Sequence, residues 1–442
     1  MKPSHQSRWL LVPGHIFVWA FFVLIIDGAT VIAASKHGLP VKPTYIYAII
    51  SLGLLTTAVL TSGWSKLLND KAFFVPFLAI AALGVVMYRG ENSGPDFGGI
   101  VSRLSPSSIS YVVWPILNLA ASAGLYLLAR HDDMRRSIVA AAFATLVLQF
   151  ATMEADMWWF ALFGDPNGRA GGFAQNANIA ALLVATLASL TLSNRSLSPF
   201  AVMLAVTGTI LTQSKTGFLA AAVLVICFAF TVPRRDLLRW PIPTFAALLV
   251  AMLAITVIFS PVLNPTPETL AKRQQTIAEY QSQQQLPVNP LDVPISLEER
   301  LKARTSVDVA AELRREALRF YAGILMERPA TLLIGMGTGF TNKFVTGPHN
   351  GFLKLAVDNG IIPSLLLLFL LVSTSWKAFV ARSPELASLT LIAWLAVTFS
   401  HTTIVDPFTL PALAIGLASL RKARNRQTSH EVSWPPEGVS AR

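Results

Sequence analysis

A chain of 442 residues with a single cysteine, Cys227, can close no intramolecular disulfide, so its thiol content says nothing about redox compartment. Charge is scarce too. Asp, Glu, Lys and Arg supply 13% of the residues, about half the share of an ordinary soluble domain. The signatures of nucleotide and metal chemistry are missing: no Walker A motif, no glycine loop in a βαβ setting, no zinc spacing and no Asp-x-Asp pair. No inverted pair of interrupted apolar segments marks a transporter. Apolar residues dominate instead, at 53% of the chain with a mean hydropathy of +0.55. A chain this apolar cannot wrap its core in its own polar surface, so lipid must be part of its solvent. The formal charge of +11 therefore serves membrane topology and gives no indication of a nucleic-acid partner.

Apolar runs predict an all-α, polytopic membrane protein of about 12 transmembrane helices, at residues 9–34, 44–61, 73–88, 109–129, 138–153, 178–192, 199–212, 217–232, 241–262, 351–373, 386–400 and 403–420. The first run is too long for a signal-peptide core and lacks a clean cleavage site, so it reads as an uncleaved span. Asp27 lies within it, either as a functional intramembrane acid or reaching the interface. Loop charges orient the bundle. With the N-terminus inside, the inner segments hold Lys66, Lys71, Arg130, Arg135, Arg136, Arg195, Arg234, Arg235, Arg239, Lys377, Arg382 and the tail RKARNR. The short outer loops hold only Lys36, Lys42, Arg89, Arg103, Arg169 and Lys215. Such a bias puts both termini in the cytoplasm. Residues 1–262 then carry spans one to nine, 263–348 a long outer loop, 349–420 the last three spans, and 421–442 a basic cytoplasmic tail.

The outer loop opens with a polar, Gln-rich, Pro-punctuated stretch and continues from Ser296 with helical periodicity. Ala310, Leu313, Ala317, Phe320, Tyr321 and Ile324 form one apolar stripe, while Arg315 and Arg319 project opposite it and Arg314 flanks it. Arginines so placed are either a solvated face or a clamp for an anion at the outer mouth, since guanidinium groups bind phosphate in a bidentate way. Two other outer features stand out. Lys215, in the tight turn Ser214-Lys215-Thr216-Gly217, holds a cation at the membrane surface or snorkels there. Asn176 and Asn178, at the head of a span after Gly171-Gly172-Phe173, can bond sugar hydroxyls or cap the helix. Glu154 and Asp156 make a weak metal or sugar signal beside Trp158 and Trp159, and His401 is a second-choice base between two spans.

The stretch with most chemistry in it is 335–372. Three alternating glycines, Gly335, Gly337 and Gly339, precede a polar loop, Pro348-His349-Asn350-Gly351, and an apolar run expected to be one helix. A histidine at a helix N-terminus meets free N–H groups and the positive dipole end, which keep its ring neutral, as a general base requires. The bland alternative makes His349 an interfacial cap and the glycines a turn. On a continuing helix His349 shares a face with Leu353 and Ala356, and Asp358 falls half a turn away, too far round to orient the ring.

Gly335-Met336-Gly337, His349-Asn350-Gly351-Phe352-Leu353 and Asp358-Asn359-Gly360 resemble the signature region of the O-antigen ligase superfamily of membrane glycosyltransferases. Ser214-Lys215-Thr216-Gly217 is similar to that family's Ser-Arg-x-Gly turn, and the segment from Gly171 to Asn178 to its Gly-x-Phe-x-Asn-x-Asn motif. Two departures stand: Asp358 where the family usually has Glu, and Lys215 where it has Arg. The resemblance implies a GT-C-like fold in the bacterial inner membrane and an active site facing the periplasm. The donor would be an undecaprenyl-diphosphate-linked glycan, the acceptor a glycolipid such as lipid A-core, and no cofactor or metal would be needed. It implies that His349 acts on an acceptor hydroxyl, that Lys215 and one or two of Arg314, Arg315 and Arg319 hold the diphosphate, and that Asn176, Asn178 and Asn350 contact glycan. An O-antigen or exopolysaccharide polymerase shares this chemistry, a protein O-glycosyltransferase would take a polypeptide acceptor, and a polysaccharide transporter would need an aqueous route and no base. The absence of a second large outer loop to guide a growing polymer favours the ligase.

Overall fold

The computed structural model describes residues 9, 11–26, 28, 43–88, 110–158, 170–174, 176–212, 214–231, 317–326, 329–343, 348–399 and 406–432. No strand occurs among them. Helix α1 (Leu11–Ala20) continues as a π-helical stretch (Phe21–Ile26). There follow α2 (Pro43–Ser62), a 3-10 segment (Trp64–Asp70), α3 (Lys71–Val86), α4 (Ser110–Leu128) and α5 (Asp132–Trp158). A 3-10 turn (Gly172–Ala174) leads to α6 (Ala177–Thr191), α7 (Ser198–Thr212) and α8 (Lys215–Thr231). After residues 232–316 come α9 (Ala317–Met326), α10 (Pro329–Ile334), a 3-10 turn (Phe340–Lys343), α11 (Gly351–Asn359), α12 (Ile361–Ala381), α13 (Pro384–Phe399) and α14 (Thr409–Val432).

Four stretches, Pro43–Ser62, Trp64–Val86, Asp132–Asp156 and Ile361–Ala381, are long and apolar enough to cross a bilayer. The helices expected at 44–61, 73–88, 109–129, 178–192, 199–212 and 217–232 form within a few residues of those bounds. The span expected at 241–262, Asp27, Arg314, Arg315 and His401 lie outside the described residues.

One expectation fails. The run 351–373 is not one helix. Gly360, at φ 90° and ψ 172°, breaks it into α11 and α12, and its N–H caps α11 by donating to the Ala356 carbonyl. A side chain at Gly360 would place Cβ 2.0 Å from the Leu333 carbonyl oxygen, so the break is fixed by α10 pressing on the chain. Pro363 then sits in the first turn of α12, where its missing N–H costs nothing. At nine residues, about 13 Å, α11 is too short to span.

The main core runs through α1–α8 and α12–α14, with Tyr47, Phe73, Phe77 and Tyr126 fully buried. Small residues set the closest approaches: Gly124 lets α4 meet the α2 backbone at Leu54, and Gly217 seats α8 on Ala181 of α6. The end of α6 meets the start of α13, where Ser189 and Ser388 share a hydrogen bond of 2.7 Å. At this end of the bundle Asp70, Lys377 and Arg421 form an ion cluster, and Arg135 pairs with Glu385. These are the cations that the loop-charge pattern assigns to one side of the membrane. A smaller unit of α9, α10, the glycine loop and α11 packs around Tyr321, Ile324, Met336, Phe340 and Val357.

Candidate functional site

The Gly171-Gly172 loop is shaped by a residue whose part the sequence does not disclose. Buried Asp156, near the end of α5, accepts the N–H groups of Gly171 (3.0 Å) and Gly172 (2.5 Å), and Gln149 donates to the Gly171 carbonyl (3.0 Å). Gly172 has φ 53°, and a Cβ there would meet the Thr152 hydroxyl at 2.7 Å. Asp156 is thereby a scaffold carboxylate, and among the described residues no cluster of three His, Cys, Asp or Glu gathers to hold a metal.

That loop delivers Asn176 and Asn178 to the head of α6, where one of them caps the helix. Asn176 is the N-cap, its side-chain oxygen accepting from the N–H groups of Asn178 (2.9 Å) and Ile179 (3.3 Å). Asn178 instead accepts a 2.8 Å hydrogen bond from the Ser214 hydroxyl, which itself accepts from the Gly217 N–H at 3.1 Å and so caps α8. Two motifs far apart in sequence thus share one contact, and exposed Lys215 stands next to it.

The glycine loop and the Asp358-Asn359-Gly360 segment are two halves of one knot. Met336 N–H donates to Val357 O (2.7 Å) and Gly337 N–H to Asp358 O (2.9 Å), satisfying carbonyls that the end of α11 leaves open. All three glycines have positive φ, and Gly335 would place a Cβ 2.5 Å from the Asp358 carbonyl. The Asp358 carboxylate accepts the Thr341 N–H at 2.8 Å and the Thr341 hydroxyl at 3.1 Å. Burial pushes this carboxyl up to about 6, against the opposing pull of Lys354 and the Thr341 and Gly339 donors. Burial lowers the Lys354 ammonium, with Asp358 pulling it back, and burial raises the Tyr321 phenol, with Asp358 adding to the rise.

His349 sits just before α11, not on it. Asn350 is the N-cap, its side-chain oxygen accepting the Leu353 N–H at 2.9 Å. The expected shared face with Leu353 and Ala356 therefore does not exist. Half-buried His349 adopts φ 50°, one of two non-glycine residues among those described in the left-handed region, a conformation held only where its surroundings enforce it. The adjoining Asn350 amide donates to the Thr398 carbonyl at the end of α13 (3.5 Å). The knot is itself tied to α3, where Thr338 bonds the Gly84 and Met87 carbonyls.

Helix register brings these parts together. Measured from the Ser189–Ser388 contact, Asn178 lies about 16 Å along α6 and Thr398 about 15 Å along α13, in the same direction. Along the helix axes, the Asn178–Ser214–Lys215 corner and the His349–Asn350 corner therefore lie at a similar level, at the end opposite the ion cluster. Arg319 is exposed on α9, whose buried Tyr321 and Ile324 pack with Met336, Phe340 and Val357 of the knot, as the stripe predicts. The i, i+4 spacing of Lys354 and Asp358 was a legible signal of their coupling; nothing local marked Thr341 or Asp156. No protein-family model matches the chain, and no curated protein matches it either.

Proposed function

We propose that the protein is a glycosyltransferase of the O-antigen ligase type in the bacterial inner membrane, with about 12 spans, both termini cytoplasmic and the site facing the periplasm. It moves a glycan from an undecaprenyl-diphosphate carrier to a glycolipid acceptor such as lipid A-core. His349 takes the proton of the acceptor hydroxyl as that oxygen bonds to the anomeric carbon. The bond from that carbon to the diphosphate breaks, and the leaving group carries off the electron pair. Lys215, with one or two of Arg314, Arg315 and Arg319, stabilises the developing diphosphate charge. The amide nitrogen of Asn176, whose oxygen is engaged as a cap, contacts glycan oxygens, as does the second N–H of the Asn350 amide beyond its bond to Thr398, and Asn178 sets the position of the Ser214–Lys215 turn.

The observation that supports this reading best is the common level of the Asn178–Ser214–Lys215 and His349–Asn350 corners. The test is a deletion strain. Loss of a ligase leaves full-length glycan on the isoprenoid carrier and the acceptor glycolipid bare, and a His349→Ala gene should fail to restore transfer while the protein accumulates normally. Acceptors bearing a single repeat would mean a polymerase instead, and restored display by His349→Ala would return His349 to a structural role.

A further inference from the structure

The ion cluster at the opposite end of the bundle is unbalanced. Asp70, 1% exposed, accepts from Lys377 Nζ (2.7 Å), Tyr126 Oη (2.6 Å) and Arg421 Nε (3.4 Å), and Arg421 also donates to the Asn69 carbonyl. A third cation joins them. The Arg130 guanidinium lies 5.9 Å from the Tyr126 ring centroid, and both it and Arg421 act electrostatically on the Tyr126 hydroxyl. Two cations thus hold the Asp70 carboxylate, whose two oxygens are engaged, and a third stands against the Tyr126 ring that also bonds it. Arg130 Nη1 is buried and has no hydrogen-bond partner among the described residues. The neighbouring acid Glu385 is engaged by Arg135.

A buried, charged donor without an acceptor, beside other cations, is suited to an anion. Guanidinium groups match phosphate geometry, and a protein with lipid-facing walls has phosphodiesters at its interfaces. We propose that Arg130, Arg421 and Lys377 form a binding site for a phosphate group, separate from the transfer site and independent of how that site is read. Its occupant locks α4, α12, α14 and the Trp64–Asp70 segment together. The phosphate comes either from an anionic phospholipid headgroup or from free phosphate.

The experiment measures thermal unfolding of the full-length purified protein in dodecyl maltoside micelles, which carry no phosphate, with phosphatidylglycerol or inorganic phosphate titrated in. Stabilisation by phosphatidylglycerol alone identifies a lipid site, and stabilisation by both identifies a site for the phosphate group itself. In either case Arg130→Gln should weaken the apparent affinity about 10- to 100-fold, the worth of one charged hydrogen bond, while Arg136→Gln, an exposed neighbour on α5, leaves it unchanged. Arg130 makes no side-chain hydrogen bond among the described residues, so its variant should fold; native mass spectrometry of both proteins checks retained phospholipid directly. No stabilisation by either source, or equal affinity in wild type and Arg130→Gln, overturns the proposal.

Discussion

Lys215 and Asp358 show how differently two charged residues in one region can act. Lys215 is exposed at the head of α8, so Lys215→Ala should leave the melting temperature unchanged while glycan transfer in cells collapses. Lys215→Arg should retain much of the transfer, since it keeps the charge and adds a planar fork. Full transfer by Lys215→Ala would remove it from diphosphate binding. Asp358 belongs to the scaffold, and its signature is pH dependence. Its carboxyl rises from 3.8 to about 6 in the folded chain, first through burial. An acid raised in this way binds its proton more tightly when folded, so its contribution is complete below 3.8 and is lost as pH rises through about 6. The melting-temperature advantage of wild type over Asp358→Asn should shrink across that interval and level off above it. An advantage that grows with pH would contradict the burial account.

At the scale of elements, glycine positions carry the sharpest expectations. Gly360 and Gly63 both have positive φ, at 90° and 76°. A Cβ on Gly360 would strike the Leu333 carbonyl, whereas one on Gly63 meets nothing within 4 Å. Gly63→Ala should cost only the conformational penalty, about 1–2 kcal/mol, and Gly360→Ala several times that, read as loss of folded protein in melting or limited proteolysis. Equal effects would mean that α10 does not press on the α11–α12 joint. Helices α2–α8 were legible because a run of apolar residues between charged turns has one economical conformation in lipid. The joint at Gly360 was not: apolar residues continue on both sides, and hydropathy is blind to a φ imposed by a neighbouring carbonyl. The stripe of α9 was readable from its period, yet its docking partners Met336, Phe340 and Val357 lie on other elements. His349 was readable as a helix-terminal residue, while its left-handed backbone was not, since nothing local demands it.

For the whole molecule, polar and charged groups collect at the two ends of the bundle. One end gathers Asn178, Ser214, Lys215, His349 and Asn350; the other gathers Asp70, Arg130, Lys377 and Arg421. Sequence patterning separates these groups by loop charge, but the Asn178–Ser214 and Asn350–Thr398 contacts that assemble the first end are tertiary and cannot be read from local spacing. Removing the central carboxylate tests the second end. Asp70→Ala should destabilise by about 2–3 kcal/mol, below the ~3–5 kcal/mol of a fully buried broken pair, because Lys377 and Arg421, 23% and 32% exposed, can turn to water. Denaturant melts in mild detergent give that number, and an unchanged midpoint would show the cluster to be dispensable.

The central claim is that the first end transfers a glycan with His349 as base. Its most direct test is a reconstituted reaction: purified protein in liposomes, an undecaprenyl-diphosphate-linked glycan as donor and the acceptor glycolipid, with product and released undecaprenyl diphosphate counted together. The two should appear in equal amounts, and His349→Ala should slow both by about a hundredfold to ten-thousandfold while the protein still unfolds in a cooperative transition. Transfer at the wild-type rate by His349→Ala, or no transfer by the wild-type protein under any donor and acceptor of this class, would contradict it.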